Sequence, residues 1–517
     1  MKMKPVALWV GAVLTSASIA SFAETGPSSS AAPYIQPVAD GVAVTSILTA
    51  ADRAATGYQM VGLPDGLGAY DAGSKFVVLM NHELANTVGI PRAHGGTGAF
   101  VSEWVINKKT LQVITGSDLI REVYNWNVAA QASDTIPSTI SFSRFCSADL
   151  AAPTAFYNAN SGKGTKARIF MNGEEGGSTG YALAHVATGK SKGKSYVLGK
   201  FNLKTNGSKV DAVGGWENLV ANPYSGDKTV VIGTNDGGTG IMTNTLVVYV
   251  GDKTKTGTDA DKAGLTNGQA LFVNVQGAFD ASGTTIDELA STTTRTTKIA
   301  SGTPFTLGDA TATTFSRPED GAWGSKYQFY FVTTDQLDKT DLAGETQRGG
   351  TRLWRLNFNS DYSAGTIDLL IDSTAIAGGL GNSKPNMFDN ISVNSDGTIS
   401  LLEDVGNAEH NGKTWLFNLR NGSLTLQTKF DPALFGDISS KGVFTAGTHT
   451  KDEETSGVID VTKILNRNDK KVYNLLVAQD HALAADLQKI KAIDPTANPA
   501  EIFEGGQLLL LSRPKAN

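Results

Sequence analysis

The sequence predicts an all-β protein, a β-propeller expected to carry six blades, irregular insertions and few short helices. Three observations lead there. Short apolar runs separated by polar turns recur at 75–80, 104–114, 196–203, 229–233, 245–250, 328–333, 353–358, 398–402, 415–419, 472–477 and 507–511, which is the signature of strands. Gly is abundant, at 57 residues, and it stands with Thr, Asn and Asp between those runs, where tight turns need it. Helical periodicity is scarce, 481–493 being the best case. A radial array of strand pairs hides its sheet edges by repetition, whereas a single sandwich of this length would be unusual.

From the N-terminus, Lys2 and Lys4 precede an apolar run over 6–20 and then Ser21-Phe22-Ala23. That run is short for a bilayer span and ends in a small-x-small pattern, so 1–23 reads as an export signal cut after Ala23. The mature chain is expected to be periplasmic or secreted, with no membrane attachment after cleavage. Residues 24–40, opening with Glu-Thr-Gly-Pro-Ser-Ser-Ser, read as a flexible leader, and 41–517 as one propeller domain. The formal net charge is −6 with no basic block, which argues against nucleic acid as a partner and is compatible with bound hard cations. A monomer is expected.

Acidic and amide residues flank the strands in a recurring way. Asn81-His82-Glu83 follows the run ending at Met80, and Asn172-Gly173-Glu174-Glu175 follows the run ending at Met171. Trp216-Glu217-Asn218, Arg317-Pro318-Glu319-Asp320 and Phe388-Asp389-Asn390 open strands, and Glu403-Asp404 closes one. Each alone is ordinary turn or ion-pair chemistry. Carboxylates at equivalent ends of several blades would instead converge on the central axis, where burying their charge is costly without cations. A multinuclear metal site follows. Oxygen donors suit calcium, while the single cysteine, Cys146, cannot form an internal disulfide and as a thiolate would suit a softer or transition metal such as iron. The six histidines show no pair at zinc-helix spacing, and neither a Gly-x-Ser-x-Gly elbow nor a phosphate-cradling Gly-Lys-Ser/Thr loop is present.

Taken in order, these segments resemble the PhoX-type alkaline phosphatases, secreted bacterial proteins formerly grouped as a domain of unknown function. The resemblance rests on Asn81-His82-Glu83-Leu84, Cys146 with Glu174-Glu175, Trp216-Glu217-Asn218, Arg317-Pro318-Glu319, Phe388-Asp389-Asn390-Ile391 and Glu403-Asp404. It implies a propeller whose axis holds iron and calcium and hydrolyses phosphate monoesters. It also implies metal ligands at Glu83, Cys146, Glu174, Glu175, Glu217, Glu319, Asp389 and Glu403. Arg144 and Arg317, with Arg92 as a further candidate, are expected to grip a small phosphate ester, since a guanidinium can make two bonds to phosphate. The chain departs from the family in two places. Gly173 stands where members often carry the metal-binding Cys, and Lys2 and Lys4 stand in place of a twin-arginine export signal, so metals would be acquired after export. A rival reading keeps the same carboxylates but makes the protein a non-enzymatic calcium-binding propeller that binds a ligand or scaffolds a surface. Phosphodiesterase, phytase-like and lactonase chemistry would share its fold and metals.

Overall fold

The computed structural model describes residues 21–201, 212–277, 299–335, 350–376, 384–406, 409–439, 443–481 and 499–516. Antiparallel meanders dominate, as a propeller requires. One sheet runs Pro64–Ala72, Lys75–His82, Phe100–Asn107, Val113–Asp118 in order; another runs Phe388–Val393, Thr398–Glu403, Lys413–Asn418, Leu424–Phe430. A third carries Ile169–Gly173, Ala182–Val186 and Lys194–Val197, with Glu122–Tyr124 added in parallel at its edge. Two further meanders begin at Trp216–Ala221 and Pro318–Ser325, and Thr303–Gly308 fuses them into one nine-stranded sheet by pairing with Gln269–Val275 on one side and Ala364–Asp372 on the other. Blades and hydrogen-bonded sheets therefore do not correspond one to one.

Closure uses both ends of the chain. Glu453–Asp460, Lys471–Asp480 and Gly505–Pro514 form a meander whose outer neighbour is Ala43–Thr49, from the N-terminal side. The pairing ties the N-terminal segment into the last meander. The first strands of successive meanders lie side by side around the centre: Ile169–Gly173 by Trp216–Ala221, then Pro318–Ser325, Phe388–Val393, Glu453–Asp460 and Pro64–Ala72.

Middle strands are sandwiched between neighbouring blades, and this explains their unbroken apolar runs. Residues 76–80, 230–232, 329–332, 475–478 and 508–511 are buried on both faces, so neither face needs a polar residue. Between the last and first meanders, Trp104, Phe76, Met80, Leu475 and Leu510 share one core.

The expected flexible leader over 24–40 is corrected by the structure. Phe22–Thr25 pairs in parallel with Ala43–Thr49, and Ile35–Pro37 adds to the outer edge of the Leu424–Phe430 strand. Tyr34 and Ile35 are buried, and the Tyr34 N–H donates to Gln507 Oε1 at 2.7 Å. A Ser- and Pro-rich composition conceals these two apolar anchors. The expected cleavage after Ala23 falls inside the first of these strands; 1–20 lie outside the described residues, as does all but His481 of the expected helix at 481–493. No helix among the described residues is long and apolar enough to cross a membrane.

Gly66 marks the closest approach of two inner segments. A Cβ there would lie 2.4 Å from Ala148 N and 2.5 Å from Ser147 C, backbone atoms that cannot swing away. Gly66→Ala is expected to cost at least the roughly 1–3 kcal/mol of an overpacked core, read as a lowered midpoint in denaturant unfolding.

Candidate metal centre

The inner strands begin alike. Pro64-Asp65, Trp216-Glu217, Pro318-Glu319, Phe388-Asp389 and Glu453-Glu454 each bring an acid to the second position of the strand. Strand register shifts at the acid in four of them, between Pro64 and Leu67, Trp216 and Asn218, Pro318 and Gly321, and Phe388 and Ile391. A bulge of this kind re-aims a side chain, and these four acids all face the axis. Cys146 takes the corresponding place ahead of Ile169–Gly173: Asp149 bridges Met171, and the Gly66 N–H donates to Cys146 O at 3.1 Å.

A second tier comes from the far ends of the adjoining strands. Pro64 pairs with His82, Trp216 with Asn235 and Phe388 with Glu403; the residues just beyond these partners are Glu83, Asp236 and Asp404. Glu175, just past Gly173, joins them. Together the two tiers line one cavity with nine carboxyl groups, the Cys146 thiol and the guanidiniums of Arg144 and Arg317.

Three sets of donor atoms lie close enough to share an ion, each within 4.8 Å: Asp65, Glu83 and Cys146; Cys146, Glu175 and Glu217; and Glu217, Glu319 and Asp389. The sets are linked, because Cys146 and Glu217 each belong to two. Two donor chemistries result. The third set is all oxygen and suits a hard cation such as calcium, while the first two offer sulfur with oxygen.

The donors are held in place from behind. Gln479 Nε2 donates to Asp65 Oδ2 at 3.0 Å and Glu83 Oε2 at 3.1 Å. Ser147 meets Glu217 Oε1 through its N–H at 3.1 Å and its hydroxyl at 2.5 Å, and Asn390 donates to Asp389. Cys146 Sγ lies 3.0 Å from Glu175 Oε2. Arg144 reaches Glu83 Oε1 and Glu175 Oε2, both at 2.6 Å. Arg317 forks onto Asp236, its Nη2 at 2.8 Å, and meets Glu319 at 3.0 Å, while its Nη1 has no hydrogen-bond partner. Both arginines have left-handed backbone, φ +50° and +59°, a conformation costing a non-glycine residue on the order of 1–3 kcal/mol. Such strain is retained where the surroundings fix a side chain for use.

Two guanidiniums do not neutralise this much acid. Burial, then mutual repulsion, pushes Asp65, Glu217, Glu319, Asp389 and Glu454 well above the usual carboxylate range. Glu175 rises to about 7, through burial and the charges of Glu83 and Asp236, against the pull of Arg144. Burial and the neighbouring carboxylates likewise hold the Cys146 thiol protonated. Glu83 alone among them is lowered: burial opposes its charge, but Arg144 and His481 outweigh it. Bound cations would favour the ionised form of acids crowded in this way.

Two expected ligands do not face the cavity. Glu174 accepts from Ser143 N, Thr179 Oγ1 and Tyr181 N at 2.6–3.1 Å, and so anchors the loop that presents Glu175. Glu403 lies behind Asp404, where Lys413 at 3.1 Å, Trp415 Nε1 at 2.7 Å and Asn386 N at 2.8 Å occupy its carboxylate. Alternation along an extended chain sends adjacent acids to opposite sides. Arg92 is also elsewhere, stacked 3.8 Å from the Phe100 ring. Asp65, Asp236, Asp404 and Glu454 line the cavity but are absent from the expected ligand set; their shared position beside the strand ends is the available signal. Gly173 leaves no room for a cysteine, since its Cβ would lie 2.3 Å from Trp216 Cβ. The thiol reaches the cavity from Cys146 instead.

No family model matches the sequence, and no curated protein matches it. Among solved structures, PhoX from Pseudomonas fluorescens, in complex with vanadate, a transition state analogue, superposes with a TM-score of 0.57 at 10% identity, covering 92% of this chain and 96% of that one. The two share a fold. A candidate 6-phosphogluconolactonase from Bacteroides fragilis matches at TM-score 0.30 and 10% identity, over 78% of this chain and 90% of its own. A glycosyl hydrolase from Bacteroides ovatus gives 0.31 and 9%, over 72% and 88%.

Two predictions follow from this geometry. Lys413→Met strands Glu403 in the core and should cost about 3–5 kcal/mol in denaturant unfolding with metal content unchanged, whereas Asp404→Asn should lower metal content. The second concerns pH. Because the folded-state carboxyl of Glu175 holds its proton to about 7 against an ordinary 4.5, the folded state binds more protons than the unfolded one across that window. Chelated protein should therefore lose stability as pH rises from about 4.5 to 7, and reloading with iron and calcium together should remove the loss. A chelated protein as stable at pH 8 as at pH 5 would overturn the unneutralised-cluster account.

Proposed function

We propose that the axial cavity is a metal-dependent phosphatase site that hydrolyses small phosphate monoesters, on a six-bladed, exported propeller of the periplasm or cell exterior. The observation that carries this reading is one cavity combining linked cation-ligand sets with two arginines. The shared fold with PhoX, which binds vanadate, supports it. Glu83, Cys146, Glu175, Glu217, Glu319 and Asp389, with Asp65, would hold the ions, iron on the sets that include Cys146 and calcium on the all-oxygen set. When bound, such cations neutralise phosphoryl oxygens and lower the pKa of water, so that no protein nucleophile is required.

The chain's own residues do the rest. Arg317 is fixed by Asp236 and Glu319 with its Nη1 amino group left over, a donor for a phosphate oxygen. The Arg144 side chain, 49% exposed, stands where an arriving dianion meets it first. Both guanidiniums are held by carboxylates of the cavity, so they stay oriented while the substrate exchanges.

Protein purified without chelator is expected to contain calcium and iron by elemental analysis and to hydrolyse a chromogenic phosphate monoester. Chelation should abolish that activity, and iron with calcium restore it. Cys146→Ala should lose iron while keeping calcium, and Arg317→Lys should lower kcat/KM about tenfold or more by removing the fork. Bound calcium without hydrolysis of any phosphate ester would instead favour the non-enzymatic calcium-binding scaffold.

A further inference from the structure

The last meander carries a different titratable group at the second tier. Glu453 pairs with Asp480 as Phe388 pairs with Glu403, and the residue just beyond is not an acid but His481. The ladder continues one bond further, His481 N–H to Asp452 O at 3.4 Å, so extended geometry persists to this point. Side chains two apart on an extended chain share a face, about 7 Å from one another. Gln479, two residues earlier, touches Asp65 and Glu83 inside the cavity. His481 therefore shares the face of Gln479, near enough to Glu83 for their charges to interact.

Its ring is held for use. Nδ1 lies 2.8 Å from Glu504 Oε2, and the side chain is 31% exposed. Among the described residues, Glu504 is its side-chain partner. The acids that bear on the imidazole are Glu504, Asp452 and Glu83, with Asp404 also within electrostatic reach. Burial opposes its charge, but Glu504 and the other carboxylates prevail and raise it to about 9, so the ring stays a proton donor through the alkaline range.

Resting on the phosphatase reading, we infer that His481 is the leaving-group acid of the site, oriented through Nδ1 by Glu504. As the P–O bond to the ester oxygen breaks, Nε2–H passes its proton to that oxygen and the product leaves as a neutral alcohol. Water supplies the nucleophilic oxygen and releases its own proton to solvent, from which the imidazole is reprotonated through its exposed edge. Protons balance over the cycle, and no oxidant or reductant is needed.

The test compares leaving groups. For His481→Asn, kcat/KM on an alkyl phosphate should fall about 10²-fold, while an aryl phosphate with an activated nitrophenolate leaving group, which needs no proton, should change little. Equal losses on both esters, or none on either, overturn the inference. Wild-type protein inactive on both would instead sink the phosphatase reading itself. Independently of activity, NMR of the His481 ring should show it protonated to about pH 9 and titrating lower in Glu504→Gln. An ordinary titration near 6.5 with Glu504 present would refute the assignment.

Discussion

Repulsion among buried carboxylates is the constraint around which this molecule is organised. Nine of them and one thiol share a cavity with two guanidiniums. In water such groups would separate; on the axis of a closed ring they cannot, because most are the second residue of a packed strand or lie just beyond the end of its neighbour. Only protons or cations relieve the energy, and protons would leave the donors inert. The geometry is thus costly unless the charge is compensated, as bound cations would do.

The scaffold that enforces this proximity is apolar and continuous. Middle strands such as 329–332 and 475–478 are buried from both sides by adjacent blades, and Ala43–Thr49 closes the circle against Gly505–Pro514. Rigid packing allows the rim to keep strained features: left-handed arginines, bulged strand starts, and glycines at 66 and 173 that bring backbones into contact. Stability is supplied by the blades and chemistry is confined to their ends. The buried Glu403–Lys413 pair shows the division, since it lies one residue from a cavity acid yet serves only the packing.

Much of the fold was legible because strand physics is local. Apolar runs of five or six residues and turn-forming Gly, Asn and Asp mark strands whatever their neighbours, and Trp216-Glu217-Asn218 or Phe388-Asp389-Asn390 stand out as acids between strand and turn. Ambiguity entered with adjacent acids. Glu174-Glu175, Glu403-Asp404 and Glu453-Glu454 each contain one residue facing the axis and one facing the blade, and a one-residue change of register exchanges them. Asp65 was overlooked because Pro64-Asp65-Gly66 has the composition of a turn. The segment 24–40 misled for the same reason, its few apolar anchors being outnumbered by Ser and Pro.

By itself the sequence determined an all-β chain with acids and one sulfur distributed near strand ends, because residue type and spacing suffice for that. Tertiary structure alone decided which member of each acidic pair faces inward, that Cys146 substitutes for an acid, and that His481 takes the last second-tier place. Those choices depend on bulges and on the closing of the ring, both of which are fixed by contacts between residues hundreds of positions apart.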